Sequence, residues 1–166
     1  MRRSRLLIAG LCLASALPAA AQMLDYPTSS LFLPETPGIT AGALGGLFNP
    51  AALGVGAMGK SELATWWRDQ DDREDWGVST SGLFGPGAFG LAAFDQHDDT
   101  LWQLGTSGGS RAARAGLAYR WGPEDALIGG LLLQPGRAVS LGAAGAWSMD
   151  TDARQGVFDL GLRPLG

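Results

Sequence analysis

The sequence is short of the side chains that carry most enzyme chemistry. It contains one cysteine, Cys12, one histidine, His97, and one lysine, Lys60. A single cysteine excludes a disulfide framework and a thiolate metal cluster. The sequence also lacks the run of ~20 apolar residues that a membrane-spanning helix needs. A net charge of −4 excludes the basic surface that binds nucleic acids.

The first residues have the layout of a secretory signal peptide. Arginines occupy positions 2, 3 and 5, an apolar run covers residues 6–17, and three alanines end at Ala21. We therefore expect residues 1–21 to be a signal peptide that is cleaved after Ala21. Cleavage would remove three arginines, so Lys+Arg would fall from 12 to 9 against 16 Asp+Glu and the net charge from −4 to −7.

The remaining chain divides into two regions of different texture. Residues 22–60 are rich in proline and glycine, and Asn49-Pro50 favours a helix start because asparagine caps and proline suits the first helical position. Residues 61–166 predict an antiparallel meander, since short alternating segments are separated by turn residues. Eight candidate strands follow from this spacing: 62–68, 75–82, 88–95, 100–107, 112–121, 126–134, 138–148 and 155–163.

The connections between these candidate strands are of two kinds. Those after the odd-numbered strands are acidic (RDQDDRED, DQHDD, GPED, MDTDAR), whereas the others are short (LFGPG, SGGS, QPGR). Alternate connections of a meander lie at the same end of the sheet, so one end is predicted to be acidic. All six tryptophans flank the acidic connections, as expected for an aromatic belt at a membrane interface. These interface candidates are Trp66, Trp67, Trp76, Trp102, Trp121 and Trp147.

The alternation along the strands indicates which face would meet lipid. Leu141 and Phe158 belong to the apolar positions, while small and polar residues occupy the intervening ones. The fold class predicted is therefore all-β, an antiparallel meander of about eight strands that forms a membrane β-barrel or the N-terminal part of one. A secreted soluble β-domain for binding or adhesion is the alternative. The candidate lumen residues are Arg114, Arg120, Asp159 and Arg163.

Residues 54–61, GVGAMGKS, fit the phosphate-binding pattern G-x-x-x-x-G-K-[ST]. A working phosphate loop joins a buried strand to a helix, whereas Asn49-Pro50 and its neighbours predict a short helix or turn before this stretch. An exported protein also meets no pool of ATP. We therefore expect no nucleotide at Gly54–Ser61, despite the match.

Two further patterns resemble catalytic or metal sites. GTSGG places Ser107 in a G-x-S-x-G pattern, but His97 precedes the serine, whereas a nucleophile elbow requires it to follow. DQHDD, residues 95–99, surrounds His97 with carboxylates but supplies no fixed ligand set. The sequence therefore predicts a non-enzymatic protein with no metal and no cofactor.

GGLFNPAALG, residues 45–54, resembles a segment of outer-membrane barrels of the long-chain fatty-acid and hydrocarbon transporter family. In that family the Asn-Pro-Ala stretch belongs to a plug inside the barrel, which implies a similar place for Asn49, Pro50 and Ala51. The resemblance also implies outer-membrane lipid and a hydrophobic small molecule as partners. Here Ala52 stands where the family has glycine.

A weaker resemblance concerns the ending Leu-Arg-Pro-Leu together with the Asn-Pro-Ala segment. This combination is similar to the N-terminal region of large exported proteins of the signal-peptide-peptidase (S49) type. It implies a non-catalytic N-terminal region of such a peptidase as an alternative function. The leading prediction is an exported outer-membrane barrel protein: a pore, a hydrophobic-solute transporter or a structural membrane module. A periplasmic or secreted location is the alternative.

Overall fold

The computed structural model describes residues 41–55, 61–70, 73–96, 99–136 and 138–162. The expected signal peptide, the lead-in before residue 41, His97, Lys60 and Arg163 lie outside these ranges. Eight antiparallel strands form one sheet in chain order, which confirms the predicted meander. The strands are β1 (Ser61–Gln70), β2 (Arg73–Phe84), β3 (Gly87–Gln96), β4 (Asp99–Gly109), β5 (Ala113–Trp121), β6 (Ala126–Leu133), β7 (Val139–Ser148) and β8 (Arg154–Leu162).

The turn between β2 and β3 shows why the short connections can be so tight. Phe84 pairs directly with Gly87, so only Gly85 and Pro86 form the loop. Gly85 has a φ of +58°, which suits the first central position of a two-residue hairpin turn and would strain any residue with a Cβ. Local turn chemistry therefore ends β2 and begins β3.

A short helical segment precedes the sheet and lies against one of its faces. Helix α1 (Gly42–Phe48) is followed by a 3₁₀ turn, Pro50–Ala52. The Asn49 side chain accepts a hydrogen bond from the Ala51 backbone N–H at 3.0 Å, and Pro50 occupies the first position of the turn. This confirms the predicted start at Asn49-Pro50 as a 3₁₀ turn. Helix α1 itself was not predicted from the sequence.

The two faces of the sheet differ in kind. We call the face covered by residues 42–53 the inner face and the opposite one the outer face. Along β4 the residues alternate strictly between buried and exposed positions: Leu101, Gln103 and Ser107 are buried, and Trp102 and Leu104 are exposed. The apolar core lies between the helical segment and the inner face, and it includes Leu47, Phe48, Phe94 and Ile128.

Among the residues that the structure describes, the sheet has two open edges. Each strand pairs only with its neighbours in the sequence, and within the described residues no pairing joins β1 to β8. Within the same residues, no helix has the length and apolar character needed to cross a lipid bilayer.

Candidate functional site: the docked segment and the two faces

Gln103 on β4 joins the helical segment to the sheet. Its Nε2 donates hydrogen bonds to the carbonyl oxygens of Gly46 at 3.2 Å and Leu47 at 3.4 Å. Its Oε1 accepts from Arg120 on β5, at 3.3 Å from Nε and 3.1 Å from Nη2. The Arg120 guanidinium also lies 5.4 Å from the centre of the Phe94 ring, a cation–π contact. A buried arginine therefore orients the amide that holds α1.

A second group of polar side chains holds the other end of the segment. Ser107 Oγ donates to the carbonyl oxygen of Leu53 at 2.8 Å. Arg114 Nη2 donates to the same oxygen at 3.1 Å and to Ser107 Oγ at 3.0 Å. Asn49 Nδ2, from the segment, donates to the Leu131 carbonyl oxygen at 3.2 Å. The bonds from Ser107 and Arg114 satisfy the Leu53 carbonyl, which the end of the short helical turn leaves without a partner.

Two pairs of glycines form the surface on which the segment rests. Gly116 on β5 and Gly130 on β6 are direct register partners. A Cβ built at Gly116 would lie 2.3 Å from the Pro50 carbonyl carbon, and one at Gly130 would lie 2.0 Å from Asn49 Oδ1. Gly90 and Gly105 are also register partners, and a Cβ at either would meet the Leu53 side chain. The segment approaches the sheet this closely because these positions carry no side chain.

The outer face is apolar along all eight strands. Leu63 on β1 is 68% exposed, Leu117 on β5 52% and Phe158 on β8 73%. With about two such residues per strand, each about half exposed, the outer face exposes on the order of 1,000 Å² of large apolar side chains. The largest apolar patch on a typical soluble monomer is about 300–600 Å². The rest of the set comprises Trp67, Trp76, Phe84, Phe89, Leu91, Trp102, Leu104, Tyr119, Leu131, Leu133, Trp147, Leu160 and Leu162.

The tryptophans lie in the halves of their strands next to the acidic connections. On the outer face Trp67 is the register partner of Trp76, and Trp102 is that of Trp121. The rings of Trp102 and Trp121 stack with centroids 6.5 Å apart, and Arg154 lies 5.5 Å from the Trp147 ring centre. The outward tryptophans thus form one aromatic rim across the sheet.

Trp66 points the other way. Its ring lies on the inner face, 6.3 Å from that of Phe94, and covers Gly77, where a Cβ would come within 1.9 Å of it. Of the six predicted interface tryptophans, Trp66 is therefore the one that the structure places inside. Alternation explains this, because Trp66 and Trp67 are consecutive strand residues and must face opposite sides.

The acidic connections β5–β6 and β7–β8 are joined to each other. The Asp125 backbone N–H donates to Asp150 Oδ2 at 2.8 Å, and Thr151 Oγ1 donates to Glu124 Oε1 at 2.9 Å. Tyr119 Oη donates to Asp125 Oδ2 at 2.6 Å. Across the described parts of the chain, no cluster of three or more potential ligand side chains could hold a metal ion.

The predicted lumen residues lie on the inner face where the structure describes them. Asn49, Pro50 and Ala51 are fully buried there, and Arg114 and Arg120 hold the segment as described. Asp159 faces inward on β8, but neither of its carboxylate oxygens has a hydrogen-bond partner among the residues that the structure describes. The structure therefore brings the arginines to the segment and leaves Asp159 apart from them.

The phosphate-loop pattern at residues 54–61 and the G-x-S-x-G pattern at Ser107 do not lie in the structural context that nucleotide binding or catalysis requires. A 3₁₀ turn precedes Gly54, and strand β1 begins at Ser61, so the order of elements is the reverse of a phosphate loop. Ser107 lies within strand β4 and not at a strand-to-helix turn, and its hydroxyl is engaged with Leu53 and Arg114. All five residues of GTSGG, 105–109, belong to strand β4, and the turn to β5 begins after Gly109.

Comparisons with protein-family models, with curated proteins and with solved structures found no match to this chain. Gln103, Ser107 and the paired glycines are the docking residues that sequence analysis did not identify as such. These residues lie at alternate positions of neighbouring strands and therefore share one face of the sheet. This shared face can be recognised only once the strand register is known.

Proposed function

We propose that this chain is a non-enzymatic part of an outer-membrane β-barrel wall, with residues 42–53 docked as an internal plug. The observation that carries the proposal is the polarity of the two faces. Large apolar side chains cover the exposed outer face, and serine, glycine, glutamine and arginine lie among the residues of the inner one. This is the arrangement of a barrel strand, which presents apolar residues to lipid and polar or small ones to the interior.

The magnitude of the apolar exposure supports a lipid environment. At about 25 cal/mol per Å², an outer face on the order of 1,000 Å² represents roughly 25 kcal/mol of transfer free energy. The net stability of a folded domain is only about 5–15 kcal/mol. The free energy available from removing the outer face from water is therefore larger than the net free energy of folding of a typical domain. Lipid chains remove this area from water without any change in the fold.

The strand lengths agree with a membrane wall. Strands of 8 to 12 residues at ~3.3 Å per residue, tilted by about 40°, span roughly 20–30 Å along the membrane normal. The apolar band of outer-membrane barrels is about 25 Å tall. The aromatic rim, with the acidic connections beyond it, would then lie at one membrane interface, and the tight turns would lie at the other.

The docked segment, residues 42–53, leaves little space along the inner face through which a solute could pass. The crevice between α1 and strands β2–β4 has a cavity volume of about 10 Å³, far below the roughly 300–1,000 Å³ of ligand pockets. With the plug in place the wall therefore offers a hydrophobic solute little space. Transport would require the segment to move, and a structural membrane module needs no such motion.

Fractionation together with gel mobility tests the proposal. The full-length chain should sediment with outer membranes, resist extraction with carbonate, and migrate differently on a gel before and after boiling. A soluble β-domain would remain in the supernatant without detergent. Recovery of folded protein in the soluble periplasmic fraction would refute the membrane wall.

A further inference from the structure

The two edges of the sheet carry complementary polar groups that the fold leaves without partners. On β1, Trp66 Nε1 is buried and has no hydrogen-bond partner within the described chain. On β8, Gln155 Oε1 and both carboxylate oxygens of Asp159 are buried and also lack partners there. A donor thus stands at one edge and acceptors at the other, all on the inner face. Buried polar groups in native proteins are nearly always paired, so these groups call for an explanation.

We propose that the β8 edge of one copy pairs with the β1 edge of a second copy, so that two chains form one closed wall of sixteen strands. This inference rests on the proposed membrane function, since an open edge in lipid leaves a row of backbone N–H and C=O groups unsatisfied at several kcal/mol each. In a meander with an even number of strands, β1 and β8 run in opposite directions. The two edges can therefore form an antiparallel ladder of matched length, 10 residues against 9.

The register of the sheet indicates which residues would meet at the seam. A straight row of paired residues crosses all eight strands from Glu62 on β1 to Gln155 on β8, by way of Ser81, Gly90, Gly105, Ala118, Ile128 and Ala146. In a barrel the strands tilt by about 35–45°, so with ~4.8 Å between strands and ~3.3 Å per residue eight strands accumulate a stagger of about 8–12 residues.

At one end of its range this stagger brings two of the unpartnered groups, Asp159 and Trp66, opposite each other. Only one sense of stagger keeps β8 beside β1, and it places Gln155 opposite a residue 8 to 12 positions beyond Glu62. Because the pairing is antiparallel, Asp159 then faces a residue between positions 66 and 70. At the lower end of that range its carboxylate lies opposite Trp66, whose indole N–H is the missing donor.

The docked segment favours a second copy over closure of the sheet on itself. An eight-stranded barrel has an interior just wide enough for its own side chains. Here residues 42–53 already occupy the inner face, and a helix with its side chains is about 10–12 Å wide. Two copies joined edge to edge enclose a wider interior that accommodates both segments. The aromatic rim also continues across the seam, because β1 and β8 both turn at the acidic end.

Disulfide trapping in membranes tests the proposal directly. In a Cys12→Ser background, two differently tagged copies are coexpressed, one with Thr65→Cys on β1 and the other with Leu160→Cys or Leu162→Cys on β8. These outer-face positions face each other at staggers of 8 and 10 residues. Trp67→Cys with Leu162→Cys covers a stagger of 12 residues. A disulfide needs Cα atoms about 4.4–6.8 Å apart, so a covalent product of twice the mass should form in one of these three pairings. The matched control pairs Thr65→Cys with Leu117→Cys in the middle of the sheet and should give no product.

Each outcome decides the question. Cross-linking within one chain that carries both cysteines, with none between copies, would show self-closure and overturn the proposal. Cross-links only to a different protein would overturn it as well, as would no cross-link at all in a chain that fractionates with the membrane. The last result leaves the membrane wall intact, so failure of the seam and failure of the proposed function are distinguishable.

Asp159→Asn supplies a second measurement whose sign differs between the alternatives. If Asp159 meets the partner's donor at the seam, the substitution weakens a charge-assisted hydrogen bond and lowers the temperature at which the dimer dissociates. If Asp159 stays unpartnered, removal of a buried charge raises it. Asp152→Asn, on the exposed β7–β8 connection, is the matched control and should change nothing. An increase for Asp159→Asn would refute the seam.

Discussion

The close approach of the segment to the paired glycines makes a sharp prediction for Gly116→Ala. The new Cβ would lie 2.3 Å from the Pro50 carbonyl carbon and 2.4 Å from the Ala51 nitrogen. Both are backbone atoms, so no side-chain rotation relieves the contact, and the segment must retreat by about 1 Å to reach ordinary contact distance. Overpacking of this kind costs about 1–3 kcal/mol. The retreat also strains the Asn49 bond to Leu131, worth about 1 kcal/mol.

An opposing effect has to be subtracted. Alanine loses less backbone entropy than glycine on folding and is better in a strand by about 0.5–1 kcal/mol. The net loss expected for Gly116→Ala is therefore about 1–3 kcal/mol. Gly129→Ala is the matched control: Gly129 lies on the outer face of the neighbouring strand, and its Cβ would meet nothing within 4 Å. It should be neutral or stabilise by up to about 1 kcal/mol.

The assay is unfolding in detergent micelles followed by tryptophan fluorescence. For a chain of this size 1 kcal/mol corresponds to about 2–4 °C, so the two variants should differ by roughly 5 °C. Protease should also cleave the N-terminal segment faster in Gly116→Ala than in the control. Equal midpoints and equal cleavage rates for the two variants would mean that the segment does not rest on the glycines, and the docking argument would fail.

Three further predictions concern the plug, the outer face and the rim. Gln103→Ala should destabilise the fold by about 1–3 kcal/mol and release α1, because it removes the donor to two helix carbonyls; wild-type protection of the segment in hydrogen exchange would contradict this. Leu117→Arg should cost about 2–4 kcal/mol in a bilayer and Thr100→Arg, near the rim, at most about 1, whereas in a soluble protein both would be nearly neutral. Brominated lipids should quench fluorescence less in Trp102→Phe than in Trp66→Phe, since of these two rings that of Trp102 faces outward and that of Trp66 inward; the reverse order would place the lipid on the inner face.

The strands could be predicted from the sequence because their signals are local. Alternation and turn chemistry act over a few residues, so segments such as 126–134 and 155–163 fall within one or two residues of the observed β6 and β8. The residues at strand ends depend on ladder pairing, which explains the small differences. The acidic and tight ends follow from strand parity alone.

Helix α1 and the docking residues could not be predicted in the same way. The helix has the sequence GALGGLF, and its three glycines give it a low intrinsic propensity. It is stabilised by contacts with residues more than fifty positions away, such as Gln103. The role of Gly116 depends on facing Gly130 across two strands, which no short window of sequence contains. Patterns within short windows of the sequence therefore predict the strands of the sheet but not the segment that packs on it.

The docked segment also accounts for the sheet having one defined inner face. A slip of one residue in the pairing would send every side chain to the opposite face, and sheets rich in glycine and alanine resist such slips poorly. Here a slip of β5 would turn Leu117 toward Pro50, where even the single Cβ of an alanine at Gly116 has no room. Arg120 would turn to the outer face at the same time, and Gln103 on β4, which donates to the carbonyls of α1, would lose the guanidinium that orients it. The segment and the glycines therefore specify the register together, so that the apolar outer face remains the face turned away from the plug.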